Sequence, residues 1–404
     1  EKSLLQYFID AIGPTCICFP TPPSTNLSIN TSTLTSSHSK ANPYLHLIVP
    51  LAFQSQVVMD ALIAASAHQL FILGNSKYEQ LSDRYSERTI EQLSNTLRQK
   101  QRSQCTDWDD FLAAVLMLCF KEISSNRDYR SWVSYLNCAK FFLKKFNSQR
   151  TFSPLYKFFA RYFIIHEVIG GTAWLQKKVD GDEFDHFAHD TVIDLVFGCC
   201  PYLITLIDKI SNLGRCYEDL ELEPINTRKE FEHYILIQRN ELQSEIEGLD
   251  QRIQLFPEIN SLSENCIKTI AEIKRLSTLL YLFARVDLET LYYNNGRATN
   301  YFIEKERCMN KVKSRLVSLF KNLPECPMSL LWPLFVLGLV ATTDDDERWF
   351  VLDKLVYLQK ARELGNVKTA KDVVLKIWKE RDLGLISFRW KEMIKGKTES
   401  LSLA

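Results

Sequence analysis

Glycine is scarce in this chain, 13 of 404 residues, against an average usage of about 7%. Folds made of short strands and tight turns draw on more of it, so the deficit points to long helices. Neither sign of charge is in excess, since Lys+Arg and Asp+Glu stand at 49 each. Sequence-independent DNA affinity comes from a basic face that neutralises phosphates, so the chain is a poor nucleic-acid binder by itself. No apolar run reaches the roughly 18 residues of a membrane span. The longest, Met328 to Ala341, has the length of a core helix. Among the 11 cysteines there is no C-x-x-C pair, Cys16-x-Cys18 and the vicinal Cys199-Cys200 being the closest spacings, which argues against structural zinc. The odd count, with Cys119, Cys138, Cys199, Cys200 and Cys266 inside apolar helical segments, indicates reduced thiols serving as small buried hydrophobes. Also missing are G-x-S-x-G, a Gly-rich phosphate loop and H-E-x-x-H. No motif declares a reaction, and the chain is not expected to be an enzyme.

What is present is apolar helix. Hydrophobic residues make up 46% and aromatics 12%, enough to bury a sizeable core. Leu4, Leu5, Phe8, Ile9 and Ile12 follow helical spacing, with Gly13-Pro14 as the stop. Thr21 to Asn42 is rich in Ser, Thr, Asn and Pro and reads as a loop or disordered insertion. An Ala-rich buried helix follows from Gln56 to Leu73, then a more polar, outward-facing one from Lys77 to Gln101. Trp108 to Phe120, Tyr129 to Phe146, Pro154 to Ile169 and Pro201 to Leu213 continue the habit, with Lys177 to His189 as a charged connection holding His186 and His189. Ile235, Leu242, Ile246, Leu249, Ile253 and Phe256 step at heptad spacing and predict one helix from Arg228 to Phe256. It would serve either as a partner or dimer helix or as an amphipathic helix on its own core. Ser263 to Tyr293, Tyr301 to Leu323, Leu330 to Val340, Asp344 to Leu364 and Val367 to Arg381 complete the series. Without sustained period-2 alternation, the expectation is all-α: a single large multi-helical domain spanning residues 1–404.

Two features invite chemical readings. Asp344-Asp345-Asp346-Glu347 resembles a carboxylate cluster for metal, but Arg348 stands where a D-D-x-x-D motif needs its last acid. The pattern instead predicts a helix start, with Thr343 as cap and the acids complementing the dipole. Ionisable residues also sit inside apolar segments: Arg161, His166 and Glu167 in one, Arg285, Asp287 and Glu289 in another, and His68 in the Ala-rich helix. A buried charge needs a partner. The residues therefore either form ion pairs between helices or line a cavity where Arg holds a ligand carboxylate and acids hold an amine. Tyr162, Trp174, Tyr281, Tyr292 and Trp332 could supply its aromatic walls.

The stretch from Ser329 to Trp349, SLLWPLFVLGLVATTDDDERW, carries Trp332-Pro333 near its start and breaks at Ala341 before the acidic helix start. It resembles the C-terminal part of the fungus-specific transcription factor domain, the large helical regulatory region of fungal zinc-cluster regulators. LLQYFID at Leu4, NPYLHLIVPLAF at Asn42 with ALIAASAHQL at Ala61, WVSYLNCAK at Trp132 and VFGCCPYLITLIDKISNL at Val196 are similar to further blocks of that family in order. So are GNVKTAKDVVLKIWKERD at Gly365 and RWKEMI at Arg389. The branch they most resemble contains regulators of nitrogen-source and amino-acid metabolism. The resemblance implies a nuclear domain that senses a small metabolite and controls transcription by RNA polymerase II. Its expected partners are an effector, the transcription machinery and, as a further option, a second copy. A ligand-free helical scaffold for dimerisation or protein–protein interaction is the alternative. The family's six-cysteine zinc cluster is absent here, so zinc and DNA contact are expected only in an N-terminal part outside these residues, and the start at Glu1 without Met fits a fragment. No membrane role is implied. These 404 residues alone should therefore show no sequence-specific binding when titrated against labelled duplex DNA at physiological salt. Tight, sequence-dependent binding would contradict the assignment.

Overall fold

Segments with apolar residues at helical spacing fold as helices in the computed structural model, which describes residues 1–18, 42–100, 108–125, 131–150, 154–173, 189–219, 225–254, 261–287, 298–341, 344–398 and 401–404. Fifteen α-helices occur among them and no strand. Among the described residues extended pairing is confined to isolated bridges, Val192 with Arg252 and Asp194 with Cys199. The expected all-α class is what forms, a single helical domain whose contacts gather into two compact units. The polar insertion expected from Thr21 to Asn42 lies, apart from Asn42, outside the described residues.

The first unit comprises, among described residues, Glu1–Glu167 and Gln359–Thr369. Helix α1 (Lys2–Tyr7) does not stop at Gly13-Pro14 but changes pitch, through a π turn at Phe8–Ile12 and a 3-10 turn at Gly13–Cys16. Gly13 lies close against Leu45, since a Cβ there would come 2.5 Å from the end of that side chain and displace it. The Asn42 amide donates to its carbonyl at 2.8 Å. After α2 (Val49–Gln54), α3 (Gln56–Ile72) is buried over most of its circumference. Its alanines allow α4 (Glu79–Lys100) and α5 (Asp109–Ser124) to pack against it. The polar α4 is not simply outward-facing: Tyr85, Thr89 and Leu93 are buried. Asp60 on α3 has no exposure and is held by Gln56 at 2.8 Å, Gln92 at 2.9 Å and Arg88 at 2.9 Å, the full satisfaction that a buried carboxylate requires. Helices α6 (Ser131–Arg150) and α7 (Pro154–Gly171) follow.

In the second unit, α10 (Ser261–Arg285) is central. It touches α8 (Pro201–Asp219), α9 (Ile225–Glu247), α11 (Ala298–Asn322), α12 (Leu331–Val340) and α15 (Trp390–Ile394). The heptad run does not make one helix to Phe256. Helix α9 ends at Glu247, and Leu249 and Ile253 lie beyond it, while Phe256 is outside the described residues. Backbone pairing takes over: the Arg252 N–H donates to Thr191 and the Ile193 N–H to Arg252, both at 2.8 Å. Ile235, Leu242 and Ile246 are buried where α9 lies on α8 and α10, so the amphipathic, own-core reading holds for this helix. The helix expected to reach Tyr293 ends at Arg285, and 288–297 are not described.

Every residue of α12 is buried. Gly338 admits its neighbours closely, since a Cβ there would sit 3.0 Å from Val374 and 3.2 Å from Val351. The carbonyls at its end have no helical partners. Two residues of α14 (Gly365–Asp382) supply them: Trp378 Nε1 donates to Gly338 at 2.8 Å, and Arg381 donates to Leu339 at 2.8 Å and Ala341 at 2.6 Å. Helix α13 (Asp345–Arg362) then starts on Asp344. The expected cap, Thr343, is outside the described residues. The Asp344 carboxylate accepts from the Asp346 N–H at 2.9 Å and the Glu347 N–H at 3.4 Å, so the acidic run begins with a capping side chain. Replacing Asp344 with Ala should lower stability by about 1 kcal/mol, read as a lower denaturant midpoint, and Asp344→Asn should restore most of it.

Candidate functional site

In the first unit the charged residues of the apolar segments act as structural pairs. Glu167 on α7 meets Lys140 on α6 at 2.5 Å, which ties those two helices together. Arg161, one and a half turns earlier, is half-buried. His166 is buried, its ring 4.2 Å from that of Tyr162 and 6.4 Å from Trp132. Burial holds its pKa down at about 3, so the imidazole is neutral in the fold. His68 is buried in α3, its ring 6.1 Å from Phe71.

The second unit uses its charges differently. Arg285, last residue of α10, is buried and bonded to Glu218 of α8. Its stem lies over Gly214, where a Cβ would come within 2.6 Å of it, so the absence of a side chain at Gly214 makes the crossing possible. Asp287, two residues on, pairs with Lys305 of α11 at 2.5 Å. Within their own units these charges have partners, Glu167 with Lys140, Arg285 with Glu218 and Asp287 with Lys305.

Arg285 and Asp287 do face a cavity. It has a volume of about 250 Å³ and is lined also by Tyr217, Glu218 and Ala284, and by Arg389, Trp390, Lys391, Glu392 and Lys395 at α15. Trp390 forms its aromatic wall and is itself held from behind. Its Nε1 donates to the Thr172 carbonyl at 2.9 Å, and its ring stands edge-on to Tyr281 at 4.9 Å. Tyr281 shares a 2.9 Å hydrogen bond with Ser211, and burial raises its phenol pKa. Trp332 is one ring further in, 6.0 Å from Tyr281, with its Nε1 donating to Thr172 Oγ1 at 2.9 Å. It supports the pocket's wall from the core. The Glu392 carboxyl is held below its usual pKa by hydrogen bonds from Ser387, with Arg389 contributing.

Of the residues singled out from sequence, Arg285 and Asp287 meet at this cavity, and Trp332 lies behind it. Arg161, His166, Glu167 and His68 belong to the first unit. Trp174, Glu289, Tyr292 and His186 lie outside the described residues. The contribution of 389–395 was missed. Its signal is a Trp between two cations with a third four residues on, Arg389-Trp390-Lys391 and Lys395.

Burial of His166 has a consequence for pH. Below its ordinary value of 6.5 the unfolded chain takes up a proton that the fold refuses until about pH 3. The stability from burying the neutral ring is complete above pH 6.5 and falls as the pH drops towards 3. His166→Phe should flatten the acid side of a stability–pH curve, removing at most about 1.4 kcal/mol per pH unit. An unchanged slope would show that His166 titrates normally.

The sequence profile of the fungal specific transcription factor domain matches residues 3–404. The transcriptional activator protein UGA3 of Saccharomyces cerevisiae is similar at 21% identity over 394 residues, covering 85% of this chain and 70% of that protein. No solved structure matches.

Proposed function

Because the chain belongs to the fungal specific transcription factor domain family, we propose that it is the regulatory domain of a zinc-cluster transcription factor that senses a small metabolite in the nucleus. No catalytic role is assigned to it. The observation that carries the sensing reading is the cavity at the end of α10, with a buried, pre-positioned Arg285 and an aromatic wall at Trp390. A ligand there touches α8, α10 and the α15 segment at once, and it can bias their arrangement only by its differential affinity for two states. Those states would differ in the surface offered to the transcription machinery, while DNA is contacted through the zinc cluster in another part of the protein.

A thermal-shift screen of this chain against amino acids and related nitrogen compounds, extended to organic acids, tests the reading alongside a reporter driven by the full-length regulator. The effector should raise the melting temperature by mass action, about 2.7 kcal/mol of stabilisation at a hundredfold excess over Kd. It should also change reporter output, and Arg285→Ala should remove both responses. A reporter that answers to no metabolite would leave the second reading, a helical scaffold. Phe231, Tyr234 and Ile237, 47%, 53% and 41% exposed on α9, favour that role. It would show as a concentration-dependent dimer in sedimentation.

A further inference from the structure

Helix α13 is apolar on two sides. Val351, Leu355 and Leu358 are buried, while Trp349 is 68% and Tyr357 45% exposed on the outside. At about 3.6 residues per turn, Trp349, Leu352 and Val356 fall at i, i+3 and i+7 along one outward stripe, with Tyr357 at its edge. Leu352 and Val356 are half-buried. A surface helix buries one apolar stripe and turns polar residues to water, so this second stripe exceeds what packing on its own core requires. Apolar residues scattered singly on a surface need no explanation, whereas a contiguous line of them marks an interaction site.

The charges along the stripe are uneven. Asp345 and Asp346 stand exposed one turn before Trp349, and Asp353 one turn after it. Other charges of this helix are answered locally: Glu347 by Lys313 at 2.9 Å, Arg348 by Asp382 at 2.7 Å, and Asp353 by the neighbouring Lys354 at 3.3 Å. Asp345 and Asp346 form no ion pair among the described residues. Lys360 is exposed past Tyr357, at the far end. The Trp349 end of the stripe is therefore acidic and the Tyr357 end is not.

From this we propose that the outer face of α13 docks an amphipathic helix of a partner protein. The partner's apolar stripe would lie on Trp349, Leu352 and Val356, with its Lys or Arg residues against Asp345 and Asp346. Spacing of i, i+3 and i+7 makes a seam one residue wide, the geometry by which one helix packs along another. Trp349 supplies the kind of aromatic anchor that carries most of the energy of such contacts. A second copy fits less well. In a symmetric pairing a patch meets itself, and antiparallel α13 helices centred on the stripe would bring Asp353 against Asp353. A lipid surface fits less well too, because the same face would press three carboxylates onto it. No α13 residue lines the cavity at α15, so docking here can be tested apart from metabolite sensing.

Fluorescence anisotropy with this chain and a labelled amphipathic helical peptide of Leu and Lys, set against a peptide of Leu and Glu in the same pattern, tests the proposal. The Leu–Lys peptide should bind saturably, and the Leu–Glu peptide about tenfold more weakly or not at all. Trp349→Ser should weaken binding by about tenfold or more with the melting temperature unchanged, since the ring is exposed. Asp346→Lys should weaken it too, by a margin that shrinks at high salt. Equal binding of the two peptides, no binding of either, or Leu–Lys binding unmoved by Trp349→Ser would overturn the proposal. So would a dimer in sedimentation that Trp349→Ser abolishes, which makes the occupant a second copy. Binding to anionic phospholipid vesicles that the same variant removes would overturn it in favour of a membrane.

Discussion

A helix buried along its whole length has to have its last carbonyls satisfied by something other than water. In α12 that requirement falls on α14, through Trp378 and Arg381 donating to Gly338, Leu339 and Ala341. An unsatisfied buried acceptor costs about 1–3 kcal/mol, so three together would endanger the packing of the second unit. The guanidinium brings its charge to the negative end of the helix dipole. Burial lowers the Arg381 pKa only to about 10, which leaves it protonated at neutral pH. The same junction is clamped outside by Arg348 and Asp382, bonded through both oxygens at 2.7 Å. The acidic stretch Asp344 to Glu347 is therefore the front edge of a structural joint: one acid caps α13, and Glu347 reaches Lys313 of α11 at 2.9 Å.

The joint matters to the site because it sets where the chain goes next. From Asp382 the chain runs to α15, whose Trp390 plugs back into the core beside Tyr281 and Trp332. Thr172 accepts from Trp390 through its carbonyl and from Trp332 through its hydroxyl. One ring thus belongs both to the core and to the cavity wall. Three of the cavity's four lining cations, Arg389, Lys391 and Lys395, belong to α15 and the residues that flank it.

Elsewhere the buried charges do plain structural work. Lys140 with Glu167 and Asp60 with its three partners each hold neighbouring helices of the first unit in register. Arg362 does the same at longer range in sequence, donating to Thr15 and Gln69 at 2.9 Å while its carbonyl accepts from Gln69 at 2.9 Å. Removing one partner of such a pair strands the other, which is why these contacts specify the packing even where they add little net stability.

The helical class, the Ala-rich centre of the first unit and the fully apolar α12 were legible in the residues alone, because helix periodicity and burial are local properties of a window. The family resemblance was legible for the same reason: its blocks are helix ends and buried stretches, written contiguously. The heptad run from Ile235 to Phe256 overshoots the helix, since spacing cannot register that α9 stops at Glu247 or that Arg252, beyond it, pairs with Thr191 and Ile193. Burial cost singles out Arg285 and Asp287 as charges that need partners, but it cannot choose those partners. Glu218, Lys305 and the Arg389–Lys395 segment come from three other parts of the chain, and Gly214 matters only because Arg285 lies across it. A sequence determines which groups must be satisfied; only the tertiary arrangement decides which groups satisfy them, because Coulombic and hydrogen-bond energies depend on distances that sequence separation does not encode.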